Sequence, residues 1–357
     1  FLLTVVGIFS FSCKQVKLSD ADRRFKNGEY FEAANMYRKI YRKIPPKNKD
    51  LRGTVAFRLA ESYRLSNNVV SANAAYVNAL RYNQADTLIR LQYARTLHKA
   101  GSYKQAVDQY KIFLESYPQN QFALNGLDGA TSAAGIKDNP TKYIVRKMDI
   151  FNSRRSEFSP MLLPPEYDIM YITTNRDDVQ GEIKSAITGG YNNDIFVTRK
   201  DETGKWMKPE TAGAVNTEKD EGTPTFSASG NMMYYTFSDD GSEFSSNAAI
   251  YKSRRADGSW GKGERLAFPS DSSYMYAHPA LSPDGYSLFF VSDMPGGYGG
   301  KDIWRASMFG EDVSYIENLG PDINTAGDEM FPYVRNDSTL YFSSDGHPGL
   351  GGLDIFK

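Results

Sequence analysis

The 357-residue chain has little of what crosslinks a fold or binds a soft metal: 1 Cys and 3 His. One cysteine excludes a disulfide within the chain, and these few thiol and imidazole groups leave almost nothing to build a zinc site from. An excess of charge is missing too. The 42 basic and 43 acidic residues leave a net charge of −1, so there is no broad positive field for nucleic acid and no acidic tail. The apolar stretch Phe1 to Cys13 carries no charge but is shorter than the ~20 residues that span a bilayer. No Gly-x-Ser-x-Gly elbow is present. The glycine run Gly296–Gly300 lacks the Lys-Ser/Thr ending of a phosphate loop. These absences predict no catalysis, no cofactor and no metal. What is abundant is aromatic: 24 Tyr and 21 Phe, which suit strands and the seams of packed helices.

Two kinds of internal repeat divide the chain. In the first part, Gly28 through Ala33 with Tyr37 aligns with Asn67 through Ala72 with Tyr76, and with Gly101 through Ala106 with Tyr110. The alanines are 39 and 34 residues apart, and Pro45 and Pro118 close the first and third units. Gly28 and Gly101 stand where a helix must stop and the chain reverse, which glycine permits by accepting φ > 0. Ala33, Ala72 and Ala106 are small where helices cross. The tyrosines four residues on share the alanines' helix face. The pattern predicts helix-turn-helix units over residues 18–135, with a closing helix near Phe122 to Ala134, and is similar to tetratricopeptide repeats.

After Gly135 the language changes to short aromatic runs between Gly, Asp, Ser and Asn, which reads as strands and turns. Four units follow, anchored on Pro160, Pro224, Pro279 and Pro332 at intervals of 64, 55 and 53 residues. The third is the clearest: a Pro279 strand, the turn Ser282-Pro283-Asp284-Gly285, the run Leu288 to Ser292, then a glycine loop ending on Asp302-Ile303-Trp304. Proline is expected to open each inner strand. Gly285 is expected at a positive-φ turn position, with Asp284 before it. Asp194, Asp302 and Asp354 open the third strands. Ala249 takes that place in unit two, where Asp240–Glu243 replaces the glycine loop. The segments Trp206 to Pro209 and Asn318 to Thr325 are expected to give fourth strands. Asn216-Thr217 and Asn324-Thr325 recur before units two and four. The fold class is an all-α helical repeat domain followed by an all-β propeller over 140–357, with about four blades.

These units resemble the TolB-like, WD40-like propeller repeats of bacterial envelope proteins. The start of the chain resembles a bacterial lipoprotein signal, in which Cys13 ends the apolar run and becomes the acylated residue. The combination looks like the Bacteroidetes lipoprotein family that includes PorE of the type IX secretion system. That resemblance implies an outer-membrane, lipid-anchored protein on the periplasmic side. It implies envelope proteins as partners of both domains. It also implies continuation past Lys357 into an OmpA-like domain, through which alone peptidoglycan would be bound. The leading expectation is thus a non-catalytic scaffold lipoprotein. A carbohydrate- or peptide-binding propeller module, or the non-catalytic part of a propeller peptidase, is the alternative.

Overall fold

The computed structural model describes residues 16–82, 87–181, 184–239, 248–269 and 273–357. Cys13 and the 240–247 loop lie outside the described residues. The chain forms a helical repeat domain and a propeller.

The described helices are α1 (Leu18–Lys26), α2 (Tyr30–Lys43), α3 (Lys49–Leu65), α4 (Val69–Tyr82), α5 (Thr87–Lys99), α6 (Tyr103–Ser116) and α7 (Gln121–Asp138). Successive helices pack on one another along the stack. The turns inside the three pairs put one residue each in the left-handed region: Gly28 (φ 78°), Asn67 (φ 61°) and Gly101 (φ 72°). Asparagine tolerates that region better than most side chains, so the second unit turns without a glycine. Ala33, Ala72 and Ala106 are fully buried, and Tyr37, Tyr76 and Tyr110 are buried beside them. Two of the tyrosine hydroxyls find partners in the preceding helix: Tyr37 donates to Asp22 at 2.7 Å, and Tyr76 donates to Glu61. Gly126 of α7 lies against the Tyr110 ring, where any Cβ would collide. The closing helix is longer than expected at both ends. No helix among the described residues is long and apolar enough to cross a membrane.

The sheets begin at Glu157, later than the residue 140 boundary read from composition. Blade 1 holds β1 (Glu157–Leu162), β2 (Ile169–Thr174), β3 (Asp194–Arg199) and β4 (Glu210–Thr211). Blade 2 holds β5 (Asp220–Phe226), β6 (Met232–Ser238) and β7 (Ala249–Ala256), with the short β8 (Ser259–Trp260) and β9 (Glu264–Arg265) both paired to β7. Blade 3 holds β10 (Ala277–Leu281), β11 (Ser287–Ser292), β12 (Asp302–Phe309) and β13 (Asp312–Asn318). Blade 4 holds β14 (Glu329–Asn336), β15 (Thr339–Ser344) and β16 (Asp354–Phe356). Every pairing within a blade is antiparallel. Apolar residues fill the spaces between blades: Tyr171, Phe226 and Trp260 between blades 1 and 2, and Tyr234, Tyr276 and Phe290 between blades 2 and 3.

Two expectations about the strands need correction. The anchor prolines do not open their strands but sit inside them, at a break in register described below. The fourth strands are also displaced: β4 follows Trp206–Pro209, and β13 ends at Asn318, where the expected strand would begin. The recurring Asn-Thr pairs have another task. Asn216 accepts from Ile195 N–H at 2.9 Å and donates to Ile195 C=O at 2.8 Å. Asn324 does the same to Ile303 at 2.8 and 2.9 Å. One side chain thus imitates a partner strand for one residue. Thr217 and Thr325 then each donate N–H and Oγ–H to the buried Glu221 and Glu329.

The helical stack is seated on the propeller. Arg95 of α5 pairs with Asp345 at 2.8 Å, and Asn125 of α7 donates to Gly346 C=O at 2.8 Å. His98 lies 3.2 Å from Gly349 C=O. Phe31 and Glu32, at the start of α2, donate main-chain N–H to Ala186 and Ile187 carbonyls of blade 1. The glycine loops of blades 1 and 4 permit this approach. A Cβ on Gly189 would strike the Phe31 ring, and one on Gly351 would meet the His98 backbone at 2.6 Å.

Candidate functional site: the propeller axis

Each blade's innermost strand carries the same departure from regular structure. The β1–β2 register breaks between Phe158 and Met161, β5–β6 between Gly222 and Thr225, β10–β11 between Ala277 and Ala280, and β14–β15 between Met330 and Tyr333. At every break stands a residue with positive φ followed by the anchor proline: Ser159 (48°), Thr223 (52°), His278 (50°) and Phe331 (53°). None is glycine. Bulky residues rarely adopt this region, which costs of order 1–3 kcal/mol each. Proline has no N–H for the ladder, and a bulge is one of the few places inside a sheet that accepts it. Bulges re-aim the side chains beside them. Here all four bulges point toward one place.

That place is a cavity of about 470 Å³ on the propeller axis, lined by all four X-Pro pairs together with Phe158, Met161, Tyr333, Tyr341, Phe342, Ser343, Leu353 and Ile355. Its walls are chiefly aromatic, aliphatic and proline. The His278 and Phe331 rings stack face to face at 4.1 Å and 11°, and Phe158 meets Phe331 edge-on at 6.0 Å. Phe331 N–H donates to His278 Nδ1 at 3.3 Å, so the neutral ring carries its proton on Nε2. Burial, helped by the Lys301 charge, pushes this imidazole down to about 3, and it stays neutral at physiological pH.

Blades 4 and 1 meet differently from the other neighbours. The inner strand of each later blade packs across the blade before it: β5 on β1, β2 and β3; β10 on β5, β6 and β7; β14 on β10, β11 and β12. Packing of that kind is not repeated between β1 and the strands of blade 4 among the described residues. Tyr333, Leu353 and Ile355 on blade 4 and Leu162 on blade 1 are correspondingly exposed.

The aspartates and glycines singled out in the sequence lie away from this axis. Asp302 accepts from Tyr298 and Gly299 N–H and from Asn318 Nδ2, Asp354 from Gly351 N–H, and Asp194 from Gln180 N–H. Each closes the loop that precedes its strand. Asp284 accepts from Ser282 and Tyr286 in a surface turn, where Gly285 has φ 78° and open space around it. Asp194 and Glu221 are each fully buried. Burial first, then neighbouring carboxylates, raises both to about 7. The four prolines are the sequence-marked residues that reach the cavity. The residues before them were missed. Ser, Thr, His and Phe have no side-chain group common to all four, and only the fourfold offset from proline marks them.

No family model matches the chain, and no curated protein matches it. Solved structures resemble it in fold. MamA protein is 14% identical, covering 34% of this chain and 82% of that one, with a TM-score of 0.23. An α-L-arabinofuranosidase from Lactobacillus brevis is 11% identical, covering 55% and 68%, at 0.37. A puromycin-hydrolysing peptidase from Mycobacterium tuberculosis is 15% identical over 57% of this chain and 36% of its own, at 0.34. These neighbours correct one expectation. The missing catalytic motifs predict no enzyme, yet the similar structures include a peptidase and a glycosidase, so that exclusion does not stand. The likeness is one of fold and assigns no activity. The chain combines a helical repeat domain with a four-blade propeller arrangement.

Proposed function

We propose that the protein binds polypeptide, and that an extended apolar segment lies in the axial cavity. The observation that carries this reading is the cavity itself: about 470 Å³, walled chiefly by aromatic, aliphatic and proline side chains. Its volume falls in the range of ligand pockets, ~300–1,000 Å³. A sugar presents hydroxyls around its ring and needs matching polar groups, since unpaired polar groups are costly to bury. Two of the few polar groups in the lining are already engaged, Thr223 Oγ1 by Thr236 and His278 Nδ1 by Phe331. Apolar side chains on an extended backbone fit these walls better than a glycan.

The test is fluorescence anisotropy with a blocked, dansylated leucine–phenylalanine tetrapeptide, with maltooligosaccharide as competitor. Saturable peptide binding, weakened by Phe331→Ala and indifferent to the sugar, is expected. No peptide binding at millimolar protein, or displacement by the sugar, refutes the reading.

The envelope setting belongs to the same proposal and is supported by the sequence alone: Cys13 acylated, the anchor in the outer membrane, and other envelope proteins on the helical stack. Labelled palmitate incorporation that is lost in Cys13→Ser is its test; an unlabelled wild-type protein contradicts it.

A further inference from the structure

The blades are joined by a repeated hydrogen bond at the bulge. Thr223 N–H, on blade 2, donates to Thr173 Oγ1 of blade 1 at 2.8 Å. His278 N–H, on blade 3, donates to Thr236 Oγ1 of blade 2 at 2.8 Å. Register places Thr173 opposite Phe158, Thr236 opposite Gly222, Val291 opposite Ala277 and Ser343 opposite Met330. These four occupy one position in four blades. Valine has no hydroxyl, so the third junction is served differently: Phe331 N–H donates to His278 Nδ1. The fourth position, Ser343, has a hydroxyl again. It lines the axial cavity. Its Oγ has no hydrogen-bond partner among the described residues, Ser159 N–H included.

We propose that Ser343 is the unpaired member of this series, and that the segment bound in the cavity is an X-Pro strand of a partner polypeptide whose N–H before the proline donates to Ser343 Oγ. This rests on the peptide-binding reading and specifies it. The chain shows the docking geometry at its own junctions: an extended strand, a left-handed residue before proline, and that residue's N–H handed to the neighbouring blade. The surfaces beside Ser343 suit such a strand, with Tyr333, Leu353 and Ile355 exposed on one side and Leu162 on the other. Across the axis the Phe158 and Phe331 rings meet edge-on at 6.0 Å and form the floor against which such a strand would lie.

The experiment uses the whole chain and a fluorescein-labelled, blocked peptide copying residues 221–227, which contain Thr223-Pro224. Two derivatives accompany it, one with N-methyl threonine and one with alanine for proline. Each is titrated against wild type and Ser343→Ala. N-methylation and Ser343→Ala are each expected to weaken binding by about five-fold, the net worth of one hydrogen bond. Together they should weaken it no further, because they remove the same bond. The alanine peptide should bind more weakly than its parent. Independent losses, or full affinity of the N-methyl peptide, overturn the latch while leaving peptide binding intact. If no peptide binds the wild type, the broader reading falls with it. A concentration-dependent dimer of the chain that Ser343→Ala abolishes would make a second copy the occupant and overturn the assignment to a partner.

Discussion

The latch series predicts a pattern of stabilities that needs no ligand. Thr173→Val keeps the shape of the side chain but leaves Thr223 N–H, a buried donor, without an acceptor. An unsatisfied buried group costs about 1–3 kcal/mol. Thr236→Val removes the acceptor of His278 N–H and also the partner of Thr223 Oγ1, so its cost should equal or exceed that of Thr173→Val. Ser343→Ala, at the corresponding place in blade 4, breaks no bond and should stay within about 0.5 kcal/mol of wild type. Urea unfolding followed by near-ultraviolet circular dichroism reads all three on one protein. The ordering is the test. If Ser343→Ala is as destabilising as Thr173→Val, Ser343 is not free. If Thr173→Val is neutral, the bulge hydrogen bonds do not join the blades.

Other consequences follow from particular contacts. In α7, Gly129→Ala would bring a Cβ to 2.6 Å from Gly349 O, whereas Gly135→Ala meets nothing within 4 Å. Glycine to alanine inside a helix normally stabilises by about 1 kcal/mol, so Gly135→Ala should raise the urea midpoint and Gly129→Ala should lower it. Ala72→Leu and Ala106→Leu overpack fully buried positions and should each cost about 1–3 kcal/mol; an unchanged melting temperature in both would contradict the helical packing. Burial raises Asp194 to about 7 from its ordinary value of 3.8, so the folded chain holds a proton that the unfolded chain has lost between those pH values. Its contribution therefore falls as pH rises through that window. Asp194→Asn should gain in melting temperature relative to wild type on going from pH 5 to pH 7.5, and a constant difference would contradict the shift.

Much of the fold was legible because its signals are local. A glycine at the turn, an alanine five residues on and a tyrosine four after that mark a helix pair, and the structure buries those alanines and tyrosines together. Asn67 shows the limit of the rule, since the turn needs positive φ rather than glycine itself. The prolines marked the blades, yet their role was misread. Pro160, Pro224, Pro279 and Pro332 look like strand openers because proline lacks an N–H, and a bulge satisfies the same constraint from inside the strand. The cavity was not legible. Its walls are gathered from four blades between Phe158 and Ile355, and the residues before the prolines differ in every blade. The seating of the helices on blades 1 and 4 was equally hidden. It depends on Gly129, Gly189 and Gly351 meeting partners distant in sequence, and a glycine's value for close approach shows only once the two surfaces are known.

Methionine-methyl NMR tests the central claim most directly, because methionines report from separate regions. Met161 lines the axial cavity, Met308 lies in the core of blade 3, and Met36 packs in the helical stack. Adding the blocked peptide of residues 221–227 to the whole chain should shift the Met161 methyl in a saturable way and leave Met36 and Met308 in place. A peptide that binds while Met161 stays unmoved, or that shifts Met36 instead, would contradict a binding site on the propeller axis.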